Sequence, residues 1–197
     1  MIRAILFDWH GVLDKVSFDG LLNEAARRLY EYDDEFPIGA VKKIVVEPLL
    51  YNSGMDYARG KTPCASFWAL TQKYPPLQGL EKYLLRVDPN EILWQQLPYL
   101  ASRYRLGIVS DAPEDKAVLM IDFLGKQQVQ FHPIVLSYQL NRLKVEGEGP
   151  SLYEFAAQRL GLSPQECLVV DDSQKNIDHA KQEMFETIHY KSGQLKF

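Results

Sequence analysis

Cysteine is scarce in this chain of 197 residues: there are two, Cys64 and Cys167. That number and spacing exclude a disulfide framework and a multi-thiolate metal site. Cys167 lies in the apolar run ECLVVDD and reads as a small core residue, so a reducing, cytoplasmic setting is expected. Positive charge is also in short supply, with 22 Lys and Arg against 26 Asp and Glu and a net charge of -4. Nucleic-acid binding normally needs a basic face, and none is indicated. No apolar run is long enough to span a bilayer, so no membrane partner is expected. The opening MIRAILFDWHG has too short an apolar stretch, closed by Asp8 and His10, to serve as a signal peptide. Internal repeats and low-complexity tracts are absent. What remains is ordinary globular material, 46% hydrophobic and 24% charged, enough for one substantial core or for a core with a small insert.

Four short, continuously apolar stretches rich in β-branched or aromatic residues read as buried parallel strands: 2–8, 104–111, 132–138 and 166–172, with a weaker fifth at 186–190. Helical patterns separate the later ones. PEDKAVLMIDFL starts with Pro113, PSLYEFAAQRLGL carries Leu152, Phe155, Ala156 and Leu160 at helical spacing, and SQKNIDHAKQEMF follows with Ser173 placed to cap it. Alternating strand and helix predicts an α/β fold with a doubly wound parallel sheet. Residues 16–94 break this rhythm. FDGLLNEAARRLYEY, GAVKKIVVEPLLYN, PCASFWALTQKY and LEKYLL read as helices, while EYDDEFPIG, NSGMDYARGKTP and YPPLQG read as breaks. The expected organisation is an α/β core, 1–15 and 95–197, carrying an all-helical insertion at 16–94. Phe67 and Trp68 are expected in the insertion's core, and the charge run YEYDDE on its solvated face. An insertion just past a strand's carboxyl end can lie over the place where open α/β sheets bind ligands, as a lid would.

The strand ends carry the chemistry. The first strand stops at Asp8, the second at Ser110-Asp111 and the fourth at Asp171-Asp172, while Lys144 comes seven residues after Ser137 at the end of the third. In a parallel sheet these carboxyl ends open at one edge. Clustered carboxylates repel one another unless a hard cation such as Mg²⁺ compensates them. A phosphate monoester is itself a dianion, so an Asp nucleophile can approach it only where a metal and a Lys offset the charge. A Ser hydroxyl can hold a phosphoryl oxygen. The bland alternative is that these acids cap helices, with Ser110 a turn residue and Lys144 a solvated loop residue.

The motifs FDWHGVL, IVSDAP and LVVDDSQKNIDHA, with the insertion segment ARGKTPCASFWALTQKY, resemble the haloacid dehalogenase (HAD) superfamily, in its subgroup with a helical cap after the first strand. The resemblance runs over nearly the whole chain. It implies a Rossmann-like core and a Mg²⁺-dependent phosphatase acting on a small phosphorylated metabolite through an aspartyl-phosphate. On that pattern Asp8 is the nucleophile and a metal ligand, Ser110 holds the phosphoryl oxygen, and Lys144 neutralises charge. Asp172 is the more direct acidic ligand, with Asp171 beside it or acting through water, and the main-chain carbonyl of His10 also binds the metal. The pattern has departures. His10 stands where the family has a second Asp, its general acid/base, and Asp111 stands where Asn is usual. VEGEGP follows Lys144 in place of Pro-Asp-Pro, and Met184 replaces a common Gly. An imidazole can perform acid–base work. Two other readings stay open: a catalytically impaired domain that binds a phosphorylated ligand or a protein partner, and a 2-haloacid dehalogenase, against which the Asp171-Asp172 pair argues. Trp9 is expected either to face substrate or to pack beneath the insertion. His132, His179 and His189 are expected to be structural or surface residues.

Overall fold

The computed structural model describes residues 1–32, 38–191 and 195. Five strands form one parallel sheet: β1 (Ala4–Phe7), β2 (Arg105–Ser110), β3 (Ile134–Leu136), β4 (Cys167–Asp171) and β5 (Glu186–His189), in the order β3-β2-β1-β4-β5. β1 is central, with Phe7 level with Ile108 on one side and Val170 on the other. Side chains alternate between the two faces, as the period of two requires. Ile5, Phe7, Ile108, Leu168 and Val170 enter one apolar cluster; Ala4, Leu6, Val109, Cys167 and Val169 enter another. Helices cover both faces, giving the doubly wound α/β architecture expected from the alternation of strands and helices. Among the described residues no helix is long and apolar enough to cross a membrane.

The helices are α1 (Phe18–Tyr32), α2 (Ile38–Val41), α3 (Asn52–Ala58), α4 (Cys64–Gln72), α5 (Glu81–Leu84), α6 (Glu91–Trp94), α7 (Leu97–Ala101), α8 (Glu114–Leu124), α9 (Ser137–Leu140), α10 (Leu152–Leu160) and α11 (Gln174–Gln182). Between α2 and α3 runs a π-helical stretch, Lys42–Tyr51, with Pro48 inside it. Proline cannot donate to an α-helical ladder, and a widened turn accommodates the missing N–H. Two local expectations are corrected. NSGMDYARGKTP was expected as a break, yet its first seven residues form α3; Gly54 and Ala58 pack closely there, and the turn comes only at Gly60, at φ 74°. Ser173 occupies the N-cap position of α11 but its side chain makes no capping hydrogen bond. The expected turn at EYDDEFPIG and the charge run YEYDDE fall largely on residues 33–37, outside the described residues.

Val16 to Leu85 contribute an apolar cluster of their own, which includes Leu21, Val46, Leu50, Phe67, Trp68 and Leu80. Leu93, Leu97 and Leu100 instead join the cluster on one face of the sheet, with Val87 and Trp94 packed against it. Trp9 belongs to that cluster as well. It is fully buried, edge-on to Trp94 and Phe123, so it packs and does not face a ligand.

Candidate active site

Parallel register brings the carboxyl ends of β1, β2 and β4 to one edge. Directly after β1 the chain turns back on itself: Gly11 N–H donates to the carbonyl of Asp14 at 2.7 Å, and Asp14 N–H donates to the carbonyl of Trp9 at 2.8 Å. Gly11 is at φ 75°, and a Cβ there would lie 2.0 Å from Oδ2 of Asp172. Glycine is thus required twice, for the turn and for the carboxylate lying against it.

Asp8 is almost wholly buried. Its Oδ1 accepts from Ser110 Oγ at 2.9 Å and from Trp9 N–H at 2.6 Å, and its Oδ2 lies 2.6 Å from Lys144 Nζ. The same ammonium donates to Asp171 Oδ2 at 2.7 Å. Asp171 is further held by Tyr153 Oη at 2.7 Å, Ser173 N–H at 2.8 Å and Asn176 Nδ2 at 3.0 Å. No side chain among the described residues donates to Asp172, whose carboxylate opens to a cavity. Oxygens of Asp8, Asp171 and Asp172 lie within 4.8 Å of one another.

One ammonium faces three carboxylates, and their protonation reflects it. Burial, with Asp171 and Asp172 nearby, raises the Asp8 carboxyl well above its ordinary value despite Lys144. Asp172 is raised too, by partial burial and by Asp171. Burial works against the charged form of Asp171, but Lys144 and its hydrogen-bond donors outweigh that and lower it. Lys144 is raised, since Asp171 and Asp8 overcome the cost of burying its charge. Three carboxylates gathered around one ammonium make a cluster of hard oxygen donors, the donor set that suits Mg²⁺.

His10 sits beside this floor, its Nδ1 3.5 Å from Ser110 Oγ and its Nε2 buried with no hydrogen-bond partner. Burial, then Lys116 and Lys144, push its pKa down to about 3, so the imidazole is neutral. Asp111 Oδ1 accepts the backbone N–H of Lys144 at 2.7 Å and so anchors the loop that carries the ammonium; burial raises its carboxyl. Of the residues singled out in the sequence, Asp8, His10, Asp111, Lys144 and Asp172 line a cavity of about 560 Å³. Ser110 and Asp171 are fully buried behind it.

Several contacts were not anticipated. Tyr153 is one; a helix face that buries a Tyr needs a partner for its hydroxyl, and that requirement was the available clue. Asp14 and Lys116, both fully buried, form an ion pair at 2.7 Å. Asp14 also accepts from Trp9 Nε1 and from the N–H groups of Val16 and Asp88, while Lys116 donates to the carbonyls of Leu84 and Arg86. Both connections between the helical layer and the sheet are thereby tied to α8. The neighbouring Asp115 accepts from Tyr57 Oη at 2.6 Å and Trp68 Nε1 at 3.0 Å, and Arg59 grips Glu146, so the helical layer is held down over the cavity. His189 Nε2 donates to the main-chain carbonyl of Asp172 at 2.9 Å, a contact beside the site that its position in the sequence did not suggest.

The family model for haloacid dehalogenase-like hydrolases matches residues 2–182. The chain belongs to that family. No curated protein matches this HAD-like chain. Among solved structures it is similar to a HAD family enzyme from Bacteroides thetaiotaomicron, at 18% identity and a TM-score of 0.72, with 98% of this chain and 95% of that chain covered. The same enzyme in complex with magnesium and inorganic phosphate matches at 17% identity and a TM-score of 0.70, over 98% and 96% of the two chains. An L-2-haloacid dehalogenase from Xanthobacter autotrophicus matches at 18% identity and a TM-score of 0.61, over 95% of this chain and 76% of that one. At such identities the structural matches speak to the shared fold.

Proposed function

We propose that this HAD-like hydrolase is a Mg²⁺-dependent phosphatase of a small phosphorylated metabolite, working through Asp8, with the helical insertion acting as a cap. The observation that carries the reading is the floor of the cavity: three carboxylates within 4.8 Å of one another, with Lys144 bridging Asp8 and Asp171. Asp8, Asp172 and the main-chain carbonyl of His10 would hold the metal, with Asp171 behind them. Bound there, Mg²⁺ supplies charge neutralisation that lets a phosphate dianion approach a carboxylate. Asp8 is oriented by Ser110 and the N–H of Trp9, leaving Oδ2 as the attacking oxygen. Lys144 donates to that oxygen in the resting state and is placed to turn to the phosphoryl oxygens as charge moves onto them. Attack breaks the ester P–O bond, releasing the alcohol with a proton taken from water, and forms an aspartyl-phosphate, which a second water hydrolyses to the Asp8 carboxylate and inorganic phosphate. The layer above, held to Asp115 and Glu146, limits access of water to that intermediate. The test is a panel of phosphate esters assayed with and without Mg²⁺, for wild type and Asp8→Asn. Turnover that needs Mg²⁺ and vanishes in the nearly isosteric variant supports the reading; undiminished turnover in Asp8→Asn refutes the covalent step.

His10 favours a second reading, a domain that holds a phosphorylated ligand with little turnover. Its imidazole stands where the family pattern has its second Asp, and Nε2 has no partner to orient it. On this reading His10→Asp raises turnover by about 10²–10⁴-fold, the usual worth of a general acid/base. No gain in His10→Asp refutes this second reading.

A further inference from the structure

Above the carboxylate floor the cavity changes character. Its upper wall carries Phe18, Tyr51, Met55, Leu84, Leu143 and Val145, contributed by the helical layer and by the loop that bears Lys144. Phe18, Met55, Leu143 and Val145 are only half-buried, so they leave apolar surface in water that an occupant would cover. Of the charged side chains in this part of the lining, Arg59, Glu146 and Asp19 are already engaged, and Lys175 is free among the described residues. Arg59 is taken by Glu146 and Asp56, and Asp19 by Lys42. The Ser17 hydroxyl accepts the N–H of Gly20, and the Tyr57 hydroxyl donates to Asp115. Beyond the Lys175 ammonium and the Tyr51 hydroxyl, a polyhydroxylated group would find few free partners on this wall, and leaving its other hydroxyls unpaired is costly.

The position of Phe18 depends on a missing side chain. A Cβ at Gly54 would lie 2.1 Å from Cζ of Phe18, so the ring sits against the bare backbone of α3 and leaves the cavity open. Small-molecule sites of this volume pair a predominantly apolar lining with a few placed polar groups, and here the polar groups gather at the floor.

We propose that this wall selects a phosphomonoester whose organic part is apolar, aryl or branched alkyl, over a sugar phosphate. The inference rests on the phosphoryl reading above. Phosphate meets the floor, and the ester's apolar body covers Phe18, Met55, Leu143 and Val145.

The test is calorimetric titration of the full chain in Mg²⁺ with orthophosphate, methylphosphonate, benzylphosphonate and a hexose phosphonate. Benzylphosphonate is expected to bind at least about tenfold tighter than methylphosphonate, the worth of partly burying one ring. The hexose phosphonate is expected to bind no tighter than methylphosphonate. Phe18→Ala, which removes the ring, and Gly54→Ala, which pushes it into the cavity, should each cut the benzyl advantage to about threefold or less. Orthophosphate binding with no benzyl advantage, or with a hexose preference, overturns the inference and leaves the phosphoryl reading standing. A benzyl advantage that survives Phe18→Ala overturns the assignment to this wall. Failure of orthophosphate to bind in Mg²⁺ overturns the phosphoryl reading, and this inference with it.

Discussion

Replacing Lys116 with Met removes the ammonium from a fully buried pair while keeping most of the side chain's volume. Burial already pushes the Lys116 ammonium below its ordinary value even with Asp14 beside it, so the charge is held at a cost. Breaking such a pair from one side costs about 3–5 kcal/mol, because the remaining charge is left uncompensated. Asp14 keeps three N–H donors, from Trp9, Val16 and Asp88, which argues for the lower end of that range. The carbonyls of Leu84 and Arg86 lose their donor, which argues against anything smaller. A loss of about 3 kcal/mol in a chain of this size lowers Tm by about 6–12 °C. Thermal and urea melts of wild type, Lys116→Met, Asp14→Asn and the double variant measure the loss and the coupling. The two single effects should fail to add by more than about 1 kcal/mol, as expected of groups in direct contact. A Lys116→Met loss below about 1 kcal/mol, or strict additivity, would show that the three remaining N–H donors satisfy Asp14 alone. The view that α8 ties both connections of the helical layer would then be wrong.

Two further outcomes follow from the site. Mg²⁺ should raise the Tm of wild type by mass action, and Asp172→Ala should lose that increment; Gly11→Ala should weaken it while costing about 1–2 kcal/mol for the left-handed backbone alone. Equal Mg²⁺ affinity in wild type and Asp172→Ala, read by calorimetry, removes Asp172 from the ligand set. The Arg59 guanidinium holds the Glu146 carboxyl down at about 2, against an ordinary 4.5. A depressed carboxyl stabilises the folded state fully above its unfolded pKa and loses that contribution as pH falls through the folded one. Glu146→Gln should therefore flatten the stability profile between pH 4.5 and 2 relative to wild type, and parallel profiles over that window would refute the linkage.

Much of the fold is legible along the chain, because strand burial and alternation are local properties. The runs around Ile5, Ile108 and Val169 are apolar on both faces, and such segments lie flat only inside a sheet covered on both sides. Once the strands are parallel, Asp8, Ser110 and Asp171-Asp172 must share an edge, so the acidic floor could be read from position alone. Lys144 was harder, since a loop of unusual length carries it and the path of that loop depends on the bond from its backbone to Asp111. Contacts between distant segments were closed to sequence reasoning. Asp14 and Lys116 stand 102 residues apart, and neither has a local pattern that marks it as buried and charged. The apolar wall above the floor is of the same kind: Phe18 and Val145 line one cavity only because the helical layer is docked on the sheet. Periodicity and strand order determined where the carboxylates converge. Which cation bridges them, which carboxylate is raised and what kind of surface faces a substrate depend on desolvation and on side-chain reach, and these exist only when the chain is packed in three dimensions.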